Sequence, residues 1–165
     1  MNLDKLYLVG FMGAGKTTVS RALGRRIGWR VEDLDHRIEA RERKTVAGIF
    51  AQHGEPYFRQ LERHVLSELL PERHVVIATG GGTFAEADNR ALMLADGGVV
   101  WLDVPLAKVI DRVPADGRRP LAADRAVMEQ LYQRRRLAYA EAHLHVDAAR
   151  PVEEVVERIL AWVGY

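Results

Sequence analysis

No cysteine occurs in the 165 residues. That absence excludes disulfide cross-links, a thiolate nucleophile and any cysteine-held zinc or iron–sulfur centre, and makes an intracellular, cytoplasmic protein the natural expectation. The histidines, His36, His53, His64, His74, His143 and His145, form no metal-ligand spacing of the His-Glu-x-x-His kind, and all six are read as structural or exposed. Charge of one sign is also lacking: 20 arginines and 4 lysines meet 23 acidic residues for a formal net charge of +1. No global field draws such a chain to nucleic acid or to a membrane. Aromatic residues make up 7% of the chain, and Trp29, Trp101 and Trp162 stand far apart, as core positions do, with no interleaved basic stripe. No apolar run approaches the roughly 20 residues of a membrane span, and the N-terminal stretch before Gly10 is too short for a signal peptide. Repeats, low-complexity tracts and linkers are missing as well, so residues 1–165 are expected to form a single domain with a sizeable core.

What is present begins with GFMGAGKTT, Gly10 to Thr18. It follows a buried-strand run, Lys5 to Val9, and precedes apolar residues at helical spacing from Lys16 to Ile27. Gly10, Gly15, Lys16 and Thr17 fill the pattern G-x-x-x-x-G-K-[ST]. A loop of this kind turns successive backbone N–H groups and a helix N-terminus onto an anion. Lys16 would reach the β- and γ-phosphates of a nucleoside triphosphate, and the Thr17 hydroxyl would ligate Mg²⁺.

Further strands are expected at Arg30 to Leu34, His74 to Thr79, Gly98 to Asp103 and Leu144 to Val146, with helical patterns between them. Alternation of this kind predicts an α/β fold with a parallel sheet covered on both faces. Pro105 and Pro151 mark first helical positions, and Pro56 lies just inside another helix. The stretch from Val113 to Arg125, with PADGRRPLAAD, reads as a mobile loop crossing the surface.

Ligands of open α/β sheets bind beyond the carboxyl ends of the strands, which selects three segments. The first is the glycine loop itself. After the second strand come Asp33 and Asp35, whose side chains share one side if the strand continues. One could hold Mg²⁺ through water while the other orients and deprotonates a hydroxyl; alternatively Asp35 caps a helix beginning at His36. After the third strand stand Gly80, Gly81 and Gly82, which allow positive φ and close approach to the main chain. Arg59, Glu62 and Arg63 share a helix face, where Glu62 could hold an arginine fork or simply form a surface pair. Arg134 to Arg136 read as a solvated face, whereas Arg118 and Arg119 lie in a loop that could carry an arginine to a transferred phosphate.

Taken together, GFMGAGKTT, DLDHRIE (33–39), IFAQHGEPYFRQLE (49–62), ATGGGT (78–83), RRPL (118–121) and RRLAY (135–139) resemble shikimate kinase nearly end to end. A phosphate loop alone names a superfamily; the D-x-D, G-E-x-x-F-R-x-x-E and G-G-G elements in this order are specific to the family. The resemblance implies the P-loop three-layer fold of nucleoside-monophosphate-kinase-like proteins: a five-stranded parallel sheet, a lid at about 113–125 and a substrate-binding helical region at about 33–62. It implies phosphoryl transfer from ATP to the 3-hydroxyl of shikimate by a monomer. By that resemblance Gly13, Ala14, Gly15, Lys16, Thr17 and Thr18 hold ATP, with Arg112 and Pro151 near the adenine and Arg119 as the lid arginine. Asp35 meets the 3-hydroxyl, and Asp33 supports Mg²⁺ with Thr17. Arg59 and Arg135 bind the shikimate carboxylate, Glu62 positions Arg59, and Gly80, Gly81 and Gly82 line the pocket. Arg135 is selected from its neighbours because it stands four residues before Tyr139.

Two positions depart from the family pattern. Gly48 stands where an acidic residue usually precedes Ile-Phe, and glycine inside a helix costs about 1 kcal/mol relative to alanine. Lys44 flanks a turn where glycine is common. The competing readings are a sister small-molecule kinase, such as a gluconate kinase, and a nucleotide-binding regulatory module. A small GTPase is excluded by the absence of N-K-x-D and D-x-x-G elements.

Overall fold

The computed structural model describes residues 3–112 and 125–165. Five parallel strands form one sheet in the order β2-β3-β1-β4-β5: β1 (Lys5–Val9), β2 (Arg30–Asp33), β3 (Val75–Ala78), β4 (Gly98–Asp103) and β5 (Leu144–Asp147). The predicted strands are therefore all present, with ends within a residue or so. Every residue of β1 and β3 is buried, as a central parallel strand covered on both faces requires. Edge strand β5 instead alternates buried and exposed residues.

The connecting helices are α1 (Lys16–Ile27), α2 (Leu34–Glu42), α3 (Val46–His53), α4 (Glu55–Leu69), α5 (Ala87–Asp96), α6 (Leu106–Arg112), α7 (Arg125–Tyr139) and α8 (Val152–Val163). Helix α1 packs on β3 and against α8, while α2, α3 and α4 pack on one another. Within that helical trio Ile49 and Phe58 are buried, and the Phe50 and Phe58 rings lie 4.9 Å apart. Among the described residues no helix is long and apolar enough to cross a membrane. The predicted lid, apart from Arg125 at the start of α7, lies outside the described residues.

Several local expectations shift. Pro151 is the N-cap of α8 rather than its first residue, and Pro105 likewise precedes α6, its carbonyl accepting from Lys108 and Val109 N–H. Thr45 caps α3, its hydroxyl accepting from the Gly48 N–H at 3.0 Å. Gly48 thus sits in the first turn, where its main chain is tied down. Nearby, Glu39 of α2 accepts from the Val46 N–H at 2.9 Å, so a carboxylate from a neighbouring helix also serves this helix start. In the preceding turn the left-handed residue is Arg43, with φ 54°, and not Lys44.

The end of the sheet opposite the strand carboxyl termini holds a buried cation. Lys5 is fully buried, and its ammonium donates to the Leu69 and Leu70 carbonyls at 2.6 and 3.1 Å and pairs with Asp96 at 2.6 Å. Tyr7 donates to the same carboxylate, and Arg73 pairs with it. Burial lowers the Lys5 ammonium below its ordinary value, with Asp96 opposing. This network ties the start of β1 to the ends of α4 and α5.

Candidate active site

At the carboxyl end of β1 the chain turns through Gly10 to Gly15 into α1. Gly15 is the N-cap with φ 94°, a left-handed conformation that lets the loop enter the helix directly. A β-carbon on Gly10 would stand 2.7 Å from the Leu102 carbonyl oxygen of β4, so the loop base is pressed against the sheet. The Lys16 ammonium folds over the loop and donates to the carbonyls of Gly10 and Phe11. Gly13 is half-buried and Ala14 buried in the loop, and Thr18 is exposed in the first turn of α1.

Strand β2 ends at Asp33, and α2 starts at once with Leu34. Extended geometry therefore does not continue to Asp35, and the two carboxylates meet different neighbours. Asp33 is the helix cap: one oxygen accepts from the His36 N–H at 3.1 Å, and the other accepts from the Thr17 hydroxyl at 2.8 Å. Asp35, expected as a possible cap, lies in the first turn instead and faces Gly80.

The glycine run after β3 is where the charged side chains converge. A β-carbon on Gly80 would lie 2.9 Å from Asp35 Oδ1, and one on Gly81 would lie 2.9 Å from Arg135 Nη1. On Gly82 it would lie 2.5 Å from Arg59 Nη1 and 2.7 Å from Cζ. Three successive residues without side chains thus seat one carboxylate and two guanidiniums. None of the three has positive φ, so close approach, not backbone freedom, is what requires glycine here.

Each guanidinium is held from behind. Arg59 pairs through Nη1 with Glu62 at 3.0 and 3.2 Å and through Nε with Glu55 at 3.4 Å. Glu62 is fully buried and also accepts from the Thr83 hydroxyl at 2.8 Å. Burial pushes the Glu62 carboxyl above its ordinary value, with Arg59 and Thr83 opposing. Burial also pulls on Arg59, but Glu62 and Glu55 outweigh it and leave the guanidinium above its ordinary value. Arg135 is 8% exposed, while Arg134 and Arg136 beside it face solvent. It lies over the Phe11 ring at 5.8 Å, and burial lowers it, with Tyr139 opposing and the like charge of Arg59 adding to the cost. Two guanidiniums brought together at such cost favour an anion between them.

Arg63 is exposed and separates from the Arg59–Glu62 pair. Arg112 ends α6 and Pro151 opens α8, away from the glycine run in the chain. Arg118 and Arg119 fall outside the described residues. All six histidines are exposed.

Two hydroxyls at the site lie within the quoted motifs but receive no role from them. Tyr139 donates to the Gly81 carbonyl, fixing the glycine that seats Arg135. Its spacing of four from Arg135, one helical turn, is the same spacing that selects Arg135 in the sequence. Thr83 accepts from the Gly80 N–H at 3.2 Å and donates to Glu62. Its place at the end of the glycine run carries no such spacing signal.

Known proteins resemble this chain over nearly its whole length. A family model described as shikimate kinase matches residues 12–164. Shikimate kinase of Persephonella marina is 38% identical over 160 residues, covering 96% of this chain and 98% of the relative. That of Thermosynechococcus vestitus is 42% identical, with 94% and 87% covered. Among solved structures, shikimate kinase from Acinetobacter baumannii in complex with shikimate superposes with a TM-score of 0.93 at 36% identity, covering 98% of this chain and 93% of that one. Deoxyadenosine kinase from M. mycoides, at 16% identity and a TM-score of 0.68, shares the fold.

Proposed function

The chain belongs to the shikimate kinase family, and from that premise we propose how its residues divide the reaction. It is an ATP-dependent phosphotransferase that moves the γ-phosphate to the 3-hydroxyl of shikimate, giving ADP and 3-phosphoshikimate for aromatic amino-acid biosynthesis. The seating of Asp35, Arg135 and Arg59 on Gly80, Gly81 and Gly82 is the observation that carries the assignment of roles.

Arg59 and Arg135 grip the shikimate carboxylate, which supplies the anion that their shared burial favours. Asp35 orients the 3-hydroxyl and accepts its proton as the oxygen attacks phosphorus. Backbone N–H groups from Gly13 to Thr18 cradle the phosphates of ATP. Lys16 exchanges the carbonyls of Gly10 and Phe11 for phosphate oxygens, so the ammonium is already over the loop when the nucleotide arrives. Arg119 meets the transferred group from the lid, and Arg112 and Pro151 flank the adenine. The protein acts as a cytoplasmic monomer.

The Thr17 hydroxyl and Asp33 carboxylate fit Mg²⁺: both are hard oxygen donors, and they already lie 2.8 Å apart. No group of three His, Cys, Asp or Glu able to hold a metal exists among the described residues. When bound, Mg²⁺ supplies charge neutralisation on the phosphates.

Two variants separate the roles. Asp35→Asn should lower kcat by about a hundredfold or more, with the KM for ATP kept, because an amide cannot take the hydroxyl proton. Arg59→Ala should chiefly raise the KM for shikimate. Wild-type turnover in the first, or unchanged shikimate affinity in the second, removes the corresponding role.

A further inference from the structure

The two ends of the acceptor site, the Asp35 carboxylate and the Arg59 guanidinium, come from different helices, α2 and α4. The hydroxyl of Thr83 stands between them. Thr83 is fully buried, and its N–H donates to the Gly80 carbonyl at 3.3 Å, closing a tight turn over the glycines. Across that turn the Gly80 N–H donates to Thr83 Oγ1 at 3.2 Å, and Oγ1 in turn donates to Glu62 Oε2 at 2.8 Å. Asn89, itself 1% exposed, donates from Nδ2 to the Thr83 carbonyl at 3.1 Å and fixes the residue from the α5 side.

The polarity of this chain is determined. A backbone N–H can only donate, so Thr83 Oγ1 must accept from Gly80, and its single proton is left for Glu62. Gly80 is the residue against which Asp35 lies, and Glu62 is the residue that holds Arg59. We propose that Thr83 is a positioning residue whose hydroxyl couples the Gly80 main chain to the Glu62 carboxylate, setting Asp35 and Arg59 at the spacing of one shikimate molecule. This rests on the reading that Arg59 binds the shikimate carboxylate.

The Thr83 hydroxyl also favours the ionised form of Glu62. Glu62 faces Arg59 from its own helix, with Glu55 beyond, Asp35 from α2, and Arg135 and Tyr139 from α7. Of these, Asp35 opposes its ionisation and Arg59 supports it. Removing the Thr83 proton takes away one of the supports, so Glu62 would take up a proton at higher pH and release Arg59 earlier on acidification.

The test compares Thr83→Val, Thr83→Ala and Thr83→Ser by steady-state kinetics. Alanine and serine both drop the methyl group and differ in the hydroxyl alone, so that pair carries the test even if the valine variant does not fold. Expected is a shikimate KM raised on the order of tenfold in Thr83→Ala, the loss of a hydrogen bond to a charged group. The KM for ATP should stay within about twofold, and the acid limb of kcat/KM for shikimate should move to higher pH. Thr83→Ser should behave as wild type. Equal shikimate KM in the alanine and serine variants, a parallel rise in both substrates' KM, or an unmoved acid limb overturns the proposal. Arg59→Ala serves as the control. An unchanged shikimate KM there overturns the carboxylate reading and this one with it; a raised KM there with alanine and serine alike at position 83 overturns the role of Thr83 alone.

Discussion

Arg59 lies so close over Gly82 that a β-carbon there would meet the guanidinium carbon at 2.7 Å. The contact is with the far end of a flexible side chain, which can swing away without moving backbone. Gly82→Ala should therefore fold without backbone rearrangement, its loss of stability coming from displacing the guanidinium from the buried Glu62. A shikimate KM raised about tenfold or more, with the ATP KM unchanged, is the expected kinetic result. Equal shikimate KM in wild type and variant would show that the close seat does not position Arg59.

An acid limb in the shikimate kinetics is the expected consequence of the buried Glu62 carboxylate. Burial raises its carboxyl above the ordinary 4.5, so on acidification Glu62 is neutralised before an exposed glutamate would be. The sign for stability is the opposite of the usual carboxylate case. The folded protein takes up this proton more readily than the unfolded chain, so stability from this group rises as pH falls through the folded value. Activity should therefore fall on acidification in a protein that is still folded. The kcat/KM for shikimate measured beside circular dichroism checks this; simultaneous loss of both signals contradicts it.

At the other end of the sheet, Lys5→Ala would leave Asp96 without its buried ammonium and strip two carbonyls of their donor. Breaking a buried pair in this way costs about 3 kcal/mol, readable as a shift in the denaturant midpoint. Because the site residues lie at the carboxyl ends of the strands, kcat should be retained in the folded variant.

Much of this architecture is legible in the sequence because its signals are local. The run KLYLV and the loop GFMGAGKTT fix β1 and the start of α1, and strand β4 is found with its full bounds. At Asp33 and Asp35 the local signal is ambiguous: Asp35 suits a helix cap as well as a strand end, but extended geometry ends one residue earlier than the pattern indicates, so the cap falls on Asp33. The triple glycine announces that something packs on the main chain. What packs there, side chains from α2, α4 and α7, is set by tertiary placement that no spacing records. Lys5 shows the same limit, since a lysine opening a strand gives no hint that Asp96, some ninety residues on, buries it. Arg135 is separated from its neighbours in the run of three by burial, which follows from the phase of α7.

The most direct measurement is ADP release from Mg-ATP with shikimate, with gluconate and with no acceptor, on wild type and Lys16→Ala. Release that requires shikimate and disappears in Lys16→Ala, by at least about a hundredfold, is the expected result. Release with gluconate alone, or none with either acceptor, would contradict the acceptor site built on Gly80, Gly81 and Gly82.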